Sequence, residues 1–304
     1  MFAERPLRQA GKGLANKLVD SGLGEKVGSI ALREVAKSAT EMFEIIDPNE
    51  NIQKFCGLIK EGYYPIVVSN HLSLADVGAW VKIVDAVNQN LDQPKVFNGP
   101  VSISLGGKQG KFIEMFYGAI KPWAMKDHNI NLIEVARYKD RKVHQYEATT
   151  DANGEVHDTI YTDRGMICLM EGHQEGGRTN KMSPTGEITG MIEVRNTQIP
   201  EQIRDSIREV GRDVAVLPMG IEMSYRILNP NNGMLPGEAW ECIAYQKLLR
   251  TDPKLATVTI GEPITGGEMQ AQGLSLDNLS GMNYYLAHNH ITPLISEAAR
   301  GVYK

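Results

Sequence analysis

The sequence predicts an α/β protein whose mixed, largely parallel sheet is flanked by helices and preceded by a small N-terminal helical segment. Three observations predict it. Short apolar runs, "YPIVVS" at 64–69, "GMICLM" at 165–170, "DVAVLPMGI" at 213–221 and "LATVTIG" at 255–261, read as strands buried on both faces. Longer stretches with helical apolar spacing lie among and after them, at 76–90, 198–210 and 283–300. Strand and helix alternating in this way imply crossover connections and a mainly parallel sheet. The composition, 42% apolar and 23% charged over 304 residues, is that of a chain able to bury a core.

Taken in order, residues 8–46 place Leu14, Leu18, Val27, Ile30, Ala31, Val35, Met42 and Ile45 among charged residues, a helical pattern. "SGLG" at 21–24 breaks it and "DP" at 47–48 stops it. The expected division is a helical subdomain over 1–50 and an α/β domain over 51–304. Mixed charge and the lack of Trp favour a packed piece over a surface-seeking amphipathic one. "GGKQGK" at 106–111 does not fit the phosphate loop G-x4-G-K-[ST] and reads as a flexible loop. "FIEMFYGAIKPW" at 112–123 is apolar enough for core. Residues 144–164 are polar and turn-rich, suiting an extended loop or a hairpin turning at "NG", 153–154. "HNH" at 288–290 lacks a third ligand and reads as helix surface, so no metal is expected.

The charge balance, 32 Lys and Arg against 37 Asp and Glu, argues against a nucleic-acid binder but leaves room for a local basic pocket. Cys56, Cys168 and Cys242 are odd in number and form no CxxC, which fits a reducing, cytoplasmic setting. The first twenty residues lack a signal-peptide core, and no run approaches 18 apolar residues, so a soluble protein is expected.

The stretch "SNHLSLAD" at 69–76 carries two readings. Ser73 with Asp76 three residues later is a capping box in its Asp form, which contributes about 1 kcal/mol and needs no chemistry to explain it. Alternatively, the strand delivers His71 to the carboxyl edge of the sheet, where α/β proteins bind ligands. Asp76, in the first helical turn, would then hold one imidazole nitrogen while the other takes a proton from a hydroxyl. There is no GxSxG elbow, so direct attack by a substrate hydroxyl suits the pair better than a covalent enzyme intermediate.

"SNHLSLAD" resembles the N-H-x-S-x-x-D block of the glycerolipid acyltransferases, the His-x4-Asp family. Further blocks follow in that family's order. "NLIEVARYKDRK" at 131–142 is similar to its strand followed by basic residues. "MICLMEGHQEGGRTNKMSPTGE" at 166–187 resembles the G-G-R…T-G-E variant of the soluble plastid-type glycerol-3-phosphate acyltransferases. "VAVLPMGIE" at 214–222 and "TVTIGEPIT" at 257–265 resemble its late V-P-[VL] and closing G-[EKR]-P-[IL] blocks. The resemblance spans roughly 60 to 265. Two registers fit the third block, with Glu171-Gly172 or Glu175-Gly176 as the family's E-G; the second brings Arg178 and "TGE" into place together. A second arginine of the plastid group is replaced by Asn180, with Lys181 beside it.

The resemblance implies transfer of a fatty acyl chain from acyl-CoA or acyl-carrier protein to the hydroxyl of glycerol 3-phosphate, in phospholipid synthesis. It implies His71 as general base, Asp76 as its orienting partner, and Arg137, Arg178, Gly176 and Gly177 around the acceptor phosphate or the oxyanion. Asn70, Ser73, Glu175 and Pro218 would support them, with no cofactor beyond the acyl donor. On this view residues 112–123 could also wall an acyl pocket, and 106–111 could touch the donor. Two alternatives stand beside it: acylation of a lysophospholipid by a protein peripheral to a membrane, and a non-catalytic lipid- or phosphate-binding protein of the same fold.

Overall fold

A computed structural model describes residues 33–34, 36–70, 76–102, 107–135, 163–170, 198–223 and 256–295. Helical residues 36–41 (α1) lead into a short strand, Phe43–Ile46 (β1), and a helix, Asn51–Lys60 (α2). Asp47 opens α2 by accepting from the N–H groups of Asn51 and Ile52 at 2.8 and 3.0 Å, satisfying donors that a helix start leaves unpaired. Next come Tyr64–Asn70 (β2), Asp76–Gln89 (α3), Phe97–Ser102 (β3), Gly107–His128 (α4), Ile130–Val135 (β4) and Gly165–Met170 (β5). Then follow Gln198–Asp205 (α5) with a π turn at Ser206–Val210, Val214–Met223 (β6), Ala256–Ile260 (β7) and Ile264–Thr265 (β8). Gly266–Ala271 (α6) and Leu279–Tyr285 (α7), which runs on through a π turn at Leu286–Ile291, complete the order.

The strands form a single sheet in the order β1-β7-β6-β2-β5-β3-β4, with β8 paired to β6. β2 to β6 run parallel, whereas β7 and β8 pair antiparallel with β6, and β1 follows β7. This is the mixed, largely parallel sheet flanked by helices that the sequence predicts. All seven residues of β2 are buried, since helices cover both of its faces. On one face Ala36, Phe55, Trp80 and Ile120, from α1 to α4, pack with Val67, Ile167 and Leu217. On the other, Ile203, Met269 and Leu286, from α5 to α7, pack with Ile66, Val68 and Val216. Each aliphatic side chain so buried contributes roughly 1.5–3 kcal/mol, which is why β2 has no polar residue until Ser69.

Two glycines set how closely the layers approach. A Cβ on Gly78 would stand 2.5 Å from the carbonyl carbon of Ala39, so glycine lets α1 lie directly on the first turn of α3. A Cβ on Gly99 in β3 would meet the Trp80 ring at 2.6 Å, so glycine lets the indole rest directly against the strand.

Several elements differ from expectation. Residues 43–46 are not helical: β1 pairs in parallel with Ala256–Thr259, and Phe43 joins the core of Phe55 and Val258. A partner more than two hundred residues away overrides the local helical spacing. Residues 107–111 are not a loop but the start of α4, whose later residues Ala119, Ile120, Trp123 and Ala124 are buried. Burial of these later residues outweighs the poor helix propensity of three glycines and Pro122. α7 starts earlier than the predicted 283, because Asn278 caps it by accepting from the Gly281 N–H at 2.9 Å. Residues 1–32 and 136–162, including the predicted hairpin turn, lie outside the described residues.

Candidate active site

The parallel strands β2 to β6 all point their carboxyl ends to one edge of the sheet. From β2 the chain crosses through α3 on one face towards β3; beyond β5 it reaches α5 on the other face and then β6. β2 and β5 are neighbours, so their carboxyl ends flank the point where connections diverge to opposite faces. That is where an open α/β sheet leaves a crevice for a ligand.

β2 ends at Asn70, one residue before His71. Asn70 is fully buried and bonds twice to the backbone of β6: its Nδ2–H donates to the Ile221 carbonyl at 2.9 Å, and the Ile221 N–H donates to its Oδ1 at 2.7 Å. Both halves of the amide are used, which fixes its orientation. Just before it, Ser69 is fully buried and its hydroxyl has no hydrogen-bond partner among the described residues. The sequence reading passed over Ser69; a hydroxyl closing an otherwise apolar strand is the signal that could have marked it.

Asp76 is fully buried in the first turn of α3. There the positive end of the helix dipole favours a carboxylate. Pro218 sits inside β6, in register with Val68, and its carbonyl accepts from the Gly261 N–H at 2.8 Å. It packs against Gly261, where a Cβ would meet its ring at 2.9 Å, so its observed contacts are those of the sheet rather than of the carboxyl edge.

His71, Ser73, Arg137, Glu175, Gly176, Gly177 and Arg178 lie outside the described residues, as do Asn180 and Lys181. The strands that lead to them are described. Asn70 and Met170 are in register on adjacent strands, about 4.8 Å apart across the sheet. β4, which ends at Val135 ahead of Arg137, lies three strands from β2, about 14 Å away along the sheet.

Elsewhere, the histidines of "HNH" lie against tyrosines with tilted rings: His288 against Tyr284 at 4.0 Å and His290 against Tyr285 at 4.7 Å between ring centroids. Burial lowers both imidazole pKa values from the ordinary range, with Glu262 opposing the shift at His290. No group of three metal-ligating side chains occurs among the described residues. Nor, among them, is any helix long and apolar enough to cross a membrane.

Fold and strand edges together define an α/β protein with a divergence point at the centre of its sheet. No protein-family model and no curated protein matches the chain. Among solved structures it is similar to the 1-acyl-sn-glycerophosphate acyltransferase PlsC from Thermotoga maritima. The match has 13% identity and a TM-score of 0.34, and covers 93% of this chain and 94% of that one.

Proposed function

We propose that the protein is an O-acyltransferase of glycerolipid synthesis, moving an acyl chain from a thioester to a hydroxyl of glycerol 3-phosphate. One observation carries the reading. The strand ahead of His71 and the strand ahead of the "EGHQEGGR" block are adjacent and parallel, and end in register at the divergence point of the sheet. The buried carboxylate of Asp76, at the start of the helix that follows, supports it further.

In this reaction the His71 imidazole takes the acceptor hydroxyl's proton as the oxygen attacks the thioester carbonyl. The tetrahedral intermediate collapses, the C–S bond breaks, and the thiol leaves with the proton that His71 returns. Asp76 fixes the imidazole tautomer and stabilises its protonated form. Backbone N–H groups at Gly176 and Gly177 meet the oxyanion or the phosphate, and Arg178 and Arg137 hold the phosphate, guanidinium being suited to bidentate contact. The acyl donor is acyl-CoA or acyl-carrier protein.

The test is thiol release from acyl-CoA or acyl-carrier protein, with glycerol 3-phosphate or lysophosphatidate as acceptor. Acceptor-dependent release that His71→Ala abolishes is the expected result, and undiminished turnover in that variant would sink the base assignment. Release with lysophosphatidate alone would move the reading to a lysophospholipid acyltransferase. Binding without release would move it to a non-catalytic lipid- or phosphate-binding protein. Arg178→Ala should raise the acceptor KM with little change in kcat; an unchanged KM would favour the register that starts at Glu171.

A further inference from the structure

We infer that Asn70 is a positioning residue for the proposed reaction: its side-chain amide staples β2 to β6 where the two strands part, and so fixes the peptide that leads into His71. The inference rests on the proposed role of His71.

β2 and β6 pair by main chain as far as Ser69 opposite Met219, while β2 and β5 stay paired one residue further, to Asn70 opposite Met170. β6 itself continues to Met223, held on its far side by β7 through Ile221 opposite Val258 and Met223 opposite Ala256. Beyond Met219 no described strand pairs with the near side of β6. Its buried N–H and C=O at Ile221 need partners, and an unpaired buried peptide group is costly. The Asn70 amide supplies one donor and one acceptor, as a strand's peptide would, from a side chain that is fully buried. Because the side chain does this work, the main chain at residue 70 can turn away from β6 while remaining tied to it.

The direction in which the chain leaves the sheet is then set at two points, the Met170 register and the Ile221 staple. Loss of the staple loosens one of them, one residue before the proposed base. Misplacement of a reacting group by about 1 Å can cost on the order of 100-fold in rate.

A second asparagine provides the control. At the opposite edge of the sheet Asn88 clamps Lys95 in the same bidentate way, accepting from its N–H at 2.8 Å and donating to its carbonyl at 3.1 Å. Thermal midpoints, kcat and both KM values of acceptor-dependent thiol release are to be compared for wild type, Asn70→Leu, Asn70→Asp and Asn88→Ala. Asn70→Leu is expected to lower kcat about 100-fold, with each KM within about threefold of wild type. Asn70→Asp, which keeps the acceptor and loses the donor, should fall between the two. Asn88→Ala should lower the midpoint and leave kcat alone. Retention of kcat in Asn70→Leu, or an equal loss in Asn88→Ala, overturns the inference. Should Asn70→Leu not fold, Asn70→Asp carries the test alone, and wild-type kcat in that variant overturns it. Wild-type protein without turnover defeats the proposed reaction and this inference with it; turnover lost in His71→Ala but kept in the Asn70 variants defeats the inference only.

Discussion

The two edges of the sheet are closed by the same device used at different ranges. At the amino edge Asn88 grips Lys95, seven residues along, and closes the loop between α3 and β3. At the carboxyl edge Asn70 grips Ile221, 151 residues away. Joining the more distant pair costs roughly 3 kcal/mol more chain entropy, so that staple forms only on a sheet already assembled. The amino edge is dense with further ties. The Tyr64 N–H donates to Asp213, Gly165 to Val96 and Phe97 to Asn129, all within 2.9 Å. The Lys95 ammonium donates to the Asp163 carbonyl at 3.0 Å, and the Arg212 guanidinium lies 4.9 Å above the Tyr64 ring. The carboxyl edge instead shows buried polar groups, Ser69, Asn70 and Asp76, at the mouth of an apolar sheet. Among the described residues, backbone and side-chain ties cluster at the amino edge, and three buried polar groups lie at the carboxyl edge.

The amino edge has a histidine and an aspartate of its own, and the largest expected effect separates them from the proposed pair of His71 and Asp76. His128, at the end of α4, holds Nδ1 2.9 Å from Asp85 Oδ2 on α3, with its ring edge-on to Trp123 at 4.6 Å. It is a well-made pair at the amino edge, where parallel α/β sheets do not place their ligands. Asp76→Asn should lower kcat of thiol release by about 10² to 10⁴, the range for a base deprived of its orienting carboxylate. Asp85→Asn should leave kcat unchanged and cost about 1 kcal/mol or less in urea unfolding, since the pair is partly exposed. Equal losses of kcat would erase the distinction between the edges.

Smaller effects should come from glycines at the two edges, for different reasons. Gly78→Ala drives a methyl into the Ala39 backbone, which cannot swing aside as a side chain would. A destabilisation of about 1–3 kcal/mol is expected, together with a shift of α1 on the first turn of α3. Gly211, between the π turn after α5 and β6, has φ of 70° and open space about its Cα, so Gly211→Ala meets only the left-handed backbone penalty of about 1 kcal/mol. Denaturant midpoints for the two variants check the order, and a larger loss at Gly211 would show that close packing on α3 is not the tighter constraint.

How much of this was legible in the sequence follows from range. β2, β5 and β6 were legible because strands covered on both faces must be apolar throughout; β7 is a strand as predicted but, contrary to expectation, buries only alternate residues, Ala256, Val258 and Ile260, with Thr257 and Thr259 half-buried between them. β3 was not: "FNGPVS" carries Gly99 and Pro100, and only the Trp80 ring above it explains why a glycine belongs there. β1 escaped because "FEII" has no local sign of its partner in β7. At the site, Asn70 and Asp76 stood out through the pattern around His71, and the structure buries both. The staple could not be read, since nothing near residue 70 points to Ile221. The same holds for Asp85 and His128, joined only by the packing of α3 on α4.

The smallest effect concerns two buried thiols, one near each edge. Cys56 on α2 donates to the Val87 carbonyl, next to Asn88, while Cys168 lies in β5 two residues before its carboxyl end. Burial pushes the Cys56 thiol up to about 11, with Lys60 partly opposing it, and pushes Cys168 further in the same direction. A raised thiol pKa means that the folded state keeps a proton the unfolded chain gives up. This contribution is whole below about pH 8.5, the unfolded value, and is lost as pH rises towards about 11. Stability should therefore decline over that alkaline window, and Cys56→Ala should flatten part of the decline. At pH 8 neither thiol should alkylate without an opening of the structure, so native-state labelling reads how often each edge opens. If the ties described at the amino edge hold it the more firmly, Cys168 labels faster than Cys56, through a local opening of the carboxyl edge. Labelling of both at one rate, equal to that of global unfolding, would mean that the sheet opens as a unit and that the Asn70 staple holds as firmly as the whole amino edge.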